Sequence, residues 1–162
     1  MKIRREHSGE QDAIRALTLA AYSQPAEATL VDALRARGDS TLSLVAEDQG
    51  AIVGHALFSK LAAPAQALGL GPISVLPAHQ RRGIGGALIR EGLEQTKQQG
   101  WQAVFVLGDP AYYTRFGFSV EAAAKFETPY PKEYMMALAL TSGALDAMSG
   151  AIAYAAPFSM FE

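Results

Sequence analysis

Between Ile73 and Leu88 an apolar run, Ile73-Ser74-Val75-Leu76, passes through His79-Gln80-Arg81-Arg82-Gly83-Ile84-Gly85-Gly86 into a segment whose apolar residues recur at helical spacing. A strand that feeds a helix through such a turn belongs to a layered α/β arrangement. Glycines lack Cβ and let backbone amides approach a ligand closely, and a helix starting there adds unpaired N–H groups and the positive end of its dipole. Arg81 and Arg82 put formal positive charge at the same point. The turn therefore reads as a site for an anionic phosphate.

Spacing narrows the ligand. A nucleoside-triphosphate loop closes on Gly-Lys-Ser/Thr, which is absent here, and a dinucleotide fingerprint needs a third glycine where Leu88 stands. Both of those readings fail on named residues.

A length of 162 residues suits one domain, 1–162, with one core. The net charge of −2 argues against a nucleic-acid partner, which calls for a concentrated basic face. With no cysteine, and with His7, His55 and His79 scattered, neither a disulfide nor a metal site is expected. Met1 to Glu6 lacks the apolar core of a signal peptide, and no apolar run is long enough for a bilayer. The expectation is a cytoplasmic protein without a membrane partner.

Residues 2–6 read as a strand, followed by a helix from Ser8 or Gly9 and, after Ser23-Gln24-Pro25, a second helix with Leu30, Val31 and Leu34 on one face that runs down to a stop at Gly38. Thr41–Ala46 and Ala51–Phe58 flank a hairpin loop, Glu47 to Gly50. A fourth strand spans 68–76, and the helix after the glycine turn buries Leu88, Ile89 and Leu93 before ending near Gly100. Residues 101–107 make a fifth strand, and Pro110 opens a short helix capped by Asp109. Met135–Leu140 and Ala151–Tyr154 read as closing strands, and residues 61–68 as a weakly specified connection beside the active face. The order β-α-α-β-β-β-α-β-α-β predicts a mixed sheet with helices on both faces.

The pattern Gln80-x-x-Gly83-x-Gly85, preceded by Val75-x-Pro77, resembles the acyl-coenzyme A loop of the GNAT superfamily of N-acetyltransferases. Ala111-Tyr112-Tyr113-Thr114-Arg115-Phe116-Gly117-Phe118 is similar to the Tyr-x-x-x-Gly-Phe signature that follows the family's fifth strand. Ile52-Val53-Gly54-His55, Gly69-Leu70-Gly71-Pro72 and Val106-Leu107-Gly108-Asp109-Pro110 look most like the YhbS-like group of predicted acyltransferases, within a wider match from about residue 2 to about residue 140. The resemblance implies a central, mostly antiparallel sheet with strands four and five splayed apart. It also implies acetyl-CoA or another acyl-CoA as co-substrate, held by Ile73, Ser74, Val75, Gln80, Arg81, Arg82, Gly83, Ile84, Gly85, Gly86, Ala87 and Tyr113. By the same resemblance, the Val75 N–H polarises the thioester carbonyl and Tyr113 protonates the leaving thiolate.

Acyl transfer needs an anchor for the phosphates, a donor to the carbonyl oxygen, a deprotonated nucleophile and a proton for the thiolate. A free phenol, with a pKa of about 10, remains protonated at neutral pH, the state a proton donor needs. The base stays open, because the fourth strand carries no carboxylate. Ordered water, Glu27, Asp109 and His55 are the candidates, with Glu27 and Asp109 also candidates for contact with the acceptor. Val106 replaces an asparagine that often precedes the family's tyrosine by seven residues, so a backbone contact must substitute. The expected activity is transfer of acetyl to a primary amine by direct attack in a ternary complex, the acceptor being a small molecule or a protein or peptide amine. The alternative is an acyl-CoA-sensing module without turnover. Loops around Ser23–Ala28 and Phe126–Tyr134 should shape the acceptor site, in a monomer or a homodimer.

Overall fold

A computed structural model describes residues 1–161. Its strands are β1 (Lys2–Arg5), β2 (Ser40–Asp48), β3 (Ala51–Lys60), β4 (Ala67–Val75), β5 (Ala103–Leu107) and β6 (Met135–Ala139). Its α-helices are α1 (Gln11–Tyr22), α2 (Ala26–Arg37), α3 (Ile84–Gln98), α4 (Pro110–Tyr113) and α5 (Val120–Ala123). The strands form one mixed, mostly antiparallel sheet in the order β1-β2-β3-β4-β5-β6, with β4 and β5 the parallel pair. Two compact units share the chain, Met1–Phe58 with Gly71–Gly92, and Ser59–Leu70 with the residues from Leu93 onward.

In the first unit β1 pairs antiparallel with β2 from Lys2↔Glu47 to Arg5↔Leu44. The β2–β3 hairpin turns on two residues, Gln49 (φ 50°) and Gly50 (φ 80°), the left-handed pair that matches the twist of adjoining strands. Helix α2 ends as expected at Gly38 (φ 79°), whose N–H reaches back to the last carbonyls. Helix α1 starts later than expected. The Glu10 carboxylate accepts hydrogen bonds from the His7 N–H (2.6 Å) and from Arg4 (2.7 and 2.9 Å), so the polar turn extends to Glu10 before helix begins.

Helix α3 packs unusually close to β3. A β-carbon on Gly54 would come 2.9 Å from Ile84 Cγ2 and 3.2 Å from Leu88 Cδ1, and one on Gly92 would come 2.2 Å from the Phe58 ring. The glycines therefore lower the helix onto the sheet and set the height of its N-terminus. The expected buried stripe is amended accordingly: Leu88 and Ile89 are fully buried, Leu93 is half-buried, and Gly92 and Thr96 continue the inner face.

In the second unit β4 runs parallel to β5 over only Ala67↔Ala103, Leu68↔Val104 and Gly69↔Phe105, after which the pairing ceases. Strand β6 continues antiparallel along β5 from Ala103↔Ala139 to Leu107↔Met135. Leu61, Phe105, Phe126, Met135 and Ile152 form the core here. Trp101 lies outside β5, because its N–H bonds Thr96 O at 3.1 Å while Gly100 (φ 91°) bonds Lys97 O, the paired closure that stops α3. Residues 151–154 are not a ladder strand. They make only isolated bridges, Ala63↔Ala153 and Glu127↔Ala151, while the 61–68 connection shrinks because Leu61 is buried and β4 already begins at Ala67.

Candidate functional site

The expected phosphate turn forms where β4 ends. Pro77–His79 makes one 3₁₀ turn, tied to the sheet by Leu76 N–H to Val53 O at 2.9 Å. The chain then takes two left-handed steps, at Arg81 (φ 66°) and Gly83 (φ 80°), before α3 begins at Ile84. An arginine in that conformation is strained by roughly 1–2 kcal/mol, and such strain gathers at functional sites. Gln80, Arg81, Arg82 and Gly83 are all exposed, and the space over Gly83 is open. Gln80 works partly on the turn itself, since its Nε2 donates to Val75 O at 3.1 Å and so braces the strand end. Free helix-terminal amides, two arginines and open space fit a pyrophosphate.

Upstream on β4, Ile73 and Val75 are half-buried and Ser74 is buried. Ile73 is fastened from outside the strand: the hydroxyl of Tyr22, the last residue of α1, donates to Ile73 O at 2.7 Å. Burial pushes the Tyr22 phenol pKa up, opposed by that hydrogen bond and aided by the nearby charge of Glu27. Glu27 is itself half-buried in the first turn of α2, where Gln24 Nε2 donates to both carboxylate oxygens at 2.9 and 3.0 Å. Ile73, Glu27 and Tyr22 thus share one neighbourhood. Sequence reasoning passed over Tyr22; its signal was a large aromatic ending a helix directly before a polar, proline-containing loop.

His55 is closed to any substrate, with no accessible surface. Ser43 Oγ donates to Glu6 at 2.6 Å, so its contact with His55 at 2.8 Å takes the proton of Nε2, and Arg35 completes the chain on Glu6. Burial, then the charge of Arg35, lowers the His55 pKa to about 3. Such a residue is a neutral core histidine and not the base.

In the second unit, Asp109 caps α4 as expected, its Oδ1 accepting from Ala111 N–H at 2.9 Å. The cap starts the turn that carries Tyr112 and Tyr113. Tyr112 lies under the Arg115 guanidinium, 4.6 Å from the ring centre, while Tyr113 stands edge-on both to Tyr112 at 5.0 Å and to fully buried Phe118 at 6.0 Å. The Tyr113 ring also covers Gly108, where a β-carbon would meet its Cε2 at 2.3 Å. Val106 is buried, so the side chain at that position serves the core. Tyr154 covers Gly69, the last β4 residue paired to β5, and stands edge-on to Tyr130 at 5.7 Å. Burial, followed by the neighbouring Tyr130 and Tyr113, pushes its phenol well above the ordinary value. Tyr154 was missed by sequence reasoning because its segment was taken for a strand.

No helix of the described residues is long and apolar enough to cross a membrane, and they contain no group of three or more His, Asp or Glu residues placed to hold a metal ion.

The sequence model of the acetyltransferase (GNAT) family matches residues 11–118. The uncharacterised N-acetyltransferase YhbS of Escherichia coli K12 is 34% identical over 167 residues, spanning 99% of this chain and 100% of that protein. The crystal structure of E. coli YhbS in complex with CoA matches at a TM-score of 0.93 and 33% identity, covering 99% of this chain and 93% of that one. A GNAT family acetyltransferase from Brucella melitensis in complex with acetyl-CoA matches at 0.82 and 42% identity, with 97% of each chain covered. With a motif-bearing turn, a parallel pair that ends early and relatives aligned along nearly its whole length, this chain belongs to the GNAT acetyltransferase family.

Proposed function

We propose that this protein transfers acetyl from acetyl-CoA to a primary amine, with both substrates held together and the amine attacking directly. The observation that carries the reading is the exposed turn at Gln80–Gly83, left-handed at Arg81 and Gly83, that delivers the chain into the N-terminus of α3. Relatives of the same fold at 33% and 42% identity hold CoA and acetyl-CoA. The reading takes residues 1–162 as one domain, which a length of 162 residues supports.

In this reading Arg81, Arg82 and the amides of Gly83 to Gly86 hold the diphosphate, with Gln80 bracing the turn and Ala87 lining the site while its N–H closes the first turn of α3 on Gly83 O at 3.0 Å. The backbone of Ile73 to Val75 aligns the pantetheine arm, and the Val75 N–H polarises the thioester carbonyl. As the N–C bond forms and the C–S bond breaks, Tyr113 gives its phenolic proton to the thiolate. The amine loses its proton to ordered water or to a carboxylate, for which Glu27, beside Tyr22, is better placed than His55. Glu27 and Asp109 contribute to the acceptor side. A second reading, an acyl-CoA sensor without turnover, is favoured by the absence of a carboxylate on β4 and by buried Val106.

Thiol release from acetyl-CoA separates the two, measured with and without a panel of polyamines, amino-acid amides, aminoglycosides and peptide N-termini. Amine-dependent release that drops about 10²-fold in Tyr113→Phe, with CoA affinity held, supports the enzyme. Tight CoA binding with no amine-dependent release supports the sensor. Tyr112→Phe serves as the matched control, its ring being engaged with Arg115.

A further inference from the structure

Gly108 follows the last residue of β5, and its backbone is pinned on both sides. Its N–H donates to Tyr134 O at 3.0 Å, immediately beyond the last β5–β6 pair, Leu107↔Met135, and its neighbour Asp109 caps α4. The backbone there does not need glycine for its conformation, because Gly108 is absent from the residues with positive φ. Glycine is needed for space. A β-carbon at 108 would stand 2.3 Å from Tyr113 Cε2, 2.9 Å from Cδ2 and 3.4 Å from Cζ. Three consecutive atoms of one ring edge converge on one missing methyl, so the ring is seated on the backbone of residue 108. Phe118 and Tyr112 also pack edge-on to the Tyr113 ring, at 6.0 and 5.0 Å.

We propose that Gly108 is a positioning residue for Tyr113: the bare backbone at 108 sets where the phenol ring lies, and so where its hydroxyl is presented during acyl transfer. This rests on the reading of Tyr113 as the proton donor. Proton transfer needs a heavy-atom separation of about 2.6–3.2 Å, so a ring pushed aside by the width of a methyl group loses the transfer while remaining packed. Because the obstructed atoms belong to a side-chain ring and the backbone of 108 is anchored, the ring yields and the fold stays.

The test is a double-mutant cycle on Gly108→Ala and Tyr113→Phe. It follows thiol release from acetyl-CoA with the best acceptor of the amine panel, or basal acetyl-CoA hydrolysis where no amine is taken. The expected result is a fall in kcat of about tenfold or more for Gly108→Ala, with the KM for acetyl-CoA within about twofold and an unchanged circular dichroism spectrum. In the Tyr113→Phe background Gly108→Ala should cause no further loss, which a merely structural effect would not reproduce. Equal losses in both backgrounds overturn the proposal, as does a wild-type rate for Gly108→Ala when Tyr113→Phe is impaired. A wild-type rate for Tyr113→Phe overturns the donor reading itself and removes the role of Gly108 in turnover with it.

Discussion

Gly92 of α3 faces the ring of Phe58 on β3 so closely that a β-carbon at 92 would lie 2.2 Å from Cε2 and 2.4 Å from Cζ. The contact fixes the distance between helix and strand, because Phe58 is fully buried and has no outward escape. Together with Gly54 beneath Ile84 and Leu88, it decides where the N-terminus of α3 meets the glycine turn.

Gly92→Ala should therefore destabilise the protein by about 1–3 kcal/mol, the usual cost of overpacking, despite the better helix propensity of alanine. Urea denaturation measures it. Phe58→Leu in the same background should restore part of the loss, and a Gly92→Ala variant as stable as the wild type would refute the close contact.

Coenzyme A affinity should depend on the turn in two separable ways. Arg82 is exposed, so Arg82→Ala should weaken binding modestly, reduce its salt dependence and leave stability unchanged. Gly85→Trp puts bulk at the start of α3 and should weaken binding severely while the circular dichroism spectrum stays folded. Calorimetric titration with CoA checks both, and unchanged affinity in Gly85→Trp would remove the turn from the site.

Tyr22→Phe deletes only the donor to Ile73 O, a bond of 2.7 Å. A loss of about 0.5–1.5 kcal/mol in unfolding free energy is expected. Because Ile73 lies on the strand assigned to the pantetheine arm, the KM for acetyl-CoA should rise more than kcat falls. Stability and KM both at wild-type values would show that the tether is idle.

Asp109 separates a structural from a chemical role through its conservative variant. Asp109→Ala should cost about 0.5–2 kcal/mol with the loss of the α4 cap, and activity should fall with it because the cap begins the turn bearing Tyr113. Asp109→Asn keeps a capping oxygen and should recover both stability and rate. An Asn variant as inactive as the Ala variant, yet fully stable, would assign the carboxylate to the acceptor.

Stability should decline with acid in two windows. His55 stays neutral in the folded protein until pH falls to about 3, whereas in the unfolded chain it takes a proton near its ordinary value of 6.5. Between these limits the unfolded state binds more protons, so stability falls as pH drops, by at most about 1.4 kcal/mol per pH unit. Glu10, lowered to about 2 by its hydrogen bonds from Arg4 and then the His7 amide, adds a loss as pH falls below its ordinary 4.5. Denaturant midpoints from pH 7 to 4 should show the slope beginning near 6.5, and His55→Leu should flatten it above 4.5. An unchanged slope in His55→Leu would mean that the buried histidine is not its source.

Local chemistry carried much of this architecture in the sequence itself. The Gln49-Gly50 turn, the Gly38 helix stop, the Asp109-Pro110 cap and the Gln80–Gly85 turn each rest on residues within one or two helical turns of one another, where dihedral preference and a nearby hydrogen bond decide the conformation. The family was visible for the same reason, since both of its motifs are contiguous. Tertiary structure decided the rest. Tyr22 reaches Ile73 across 51 positions, Gly92 meets Phe58 from another element, and buried His55 bonds Ser43 of β2, which is linked in turn to Glu6 and to Arg35 of α2. Even Gly108 and Tyr113, near neighbours in sequence, meet only because an anchored strand end and a capped turn direct one ring onto one backbone. Backbone conformation follows from sterics that each short segment brings with it, whereas the pairing of side chains depends on how distant elements fill the same space, and spacing along the chain holds no record of that.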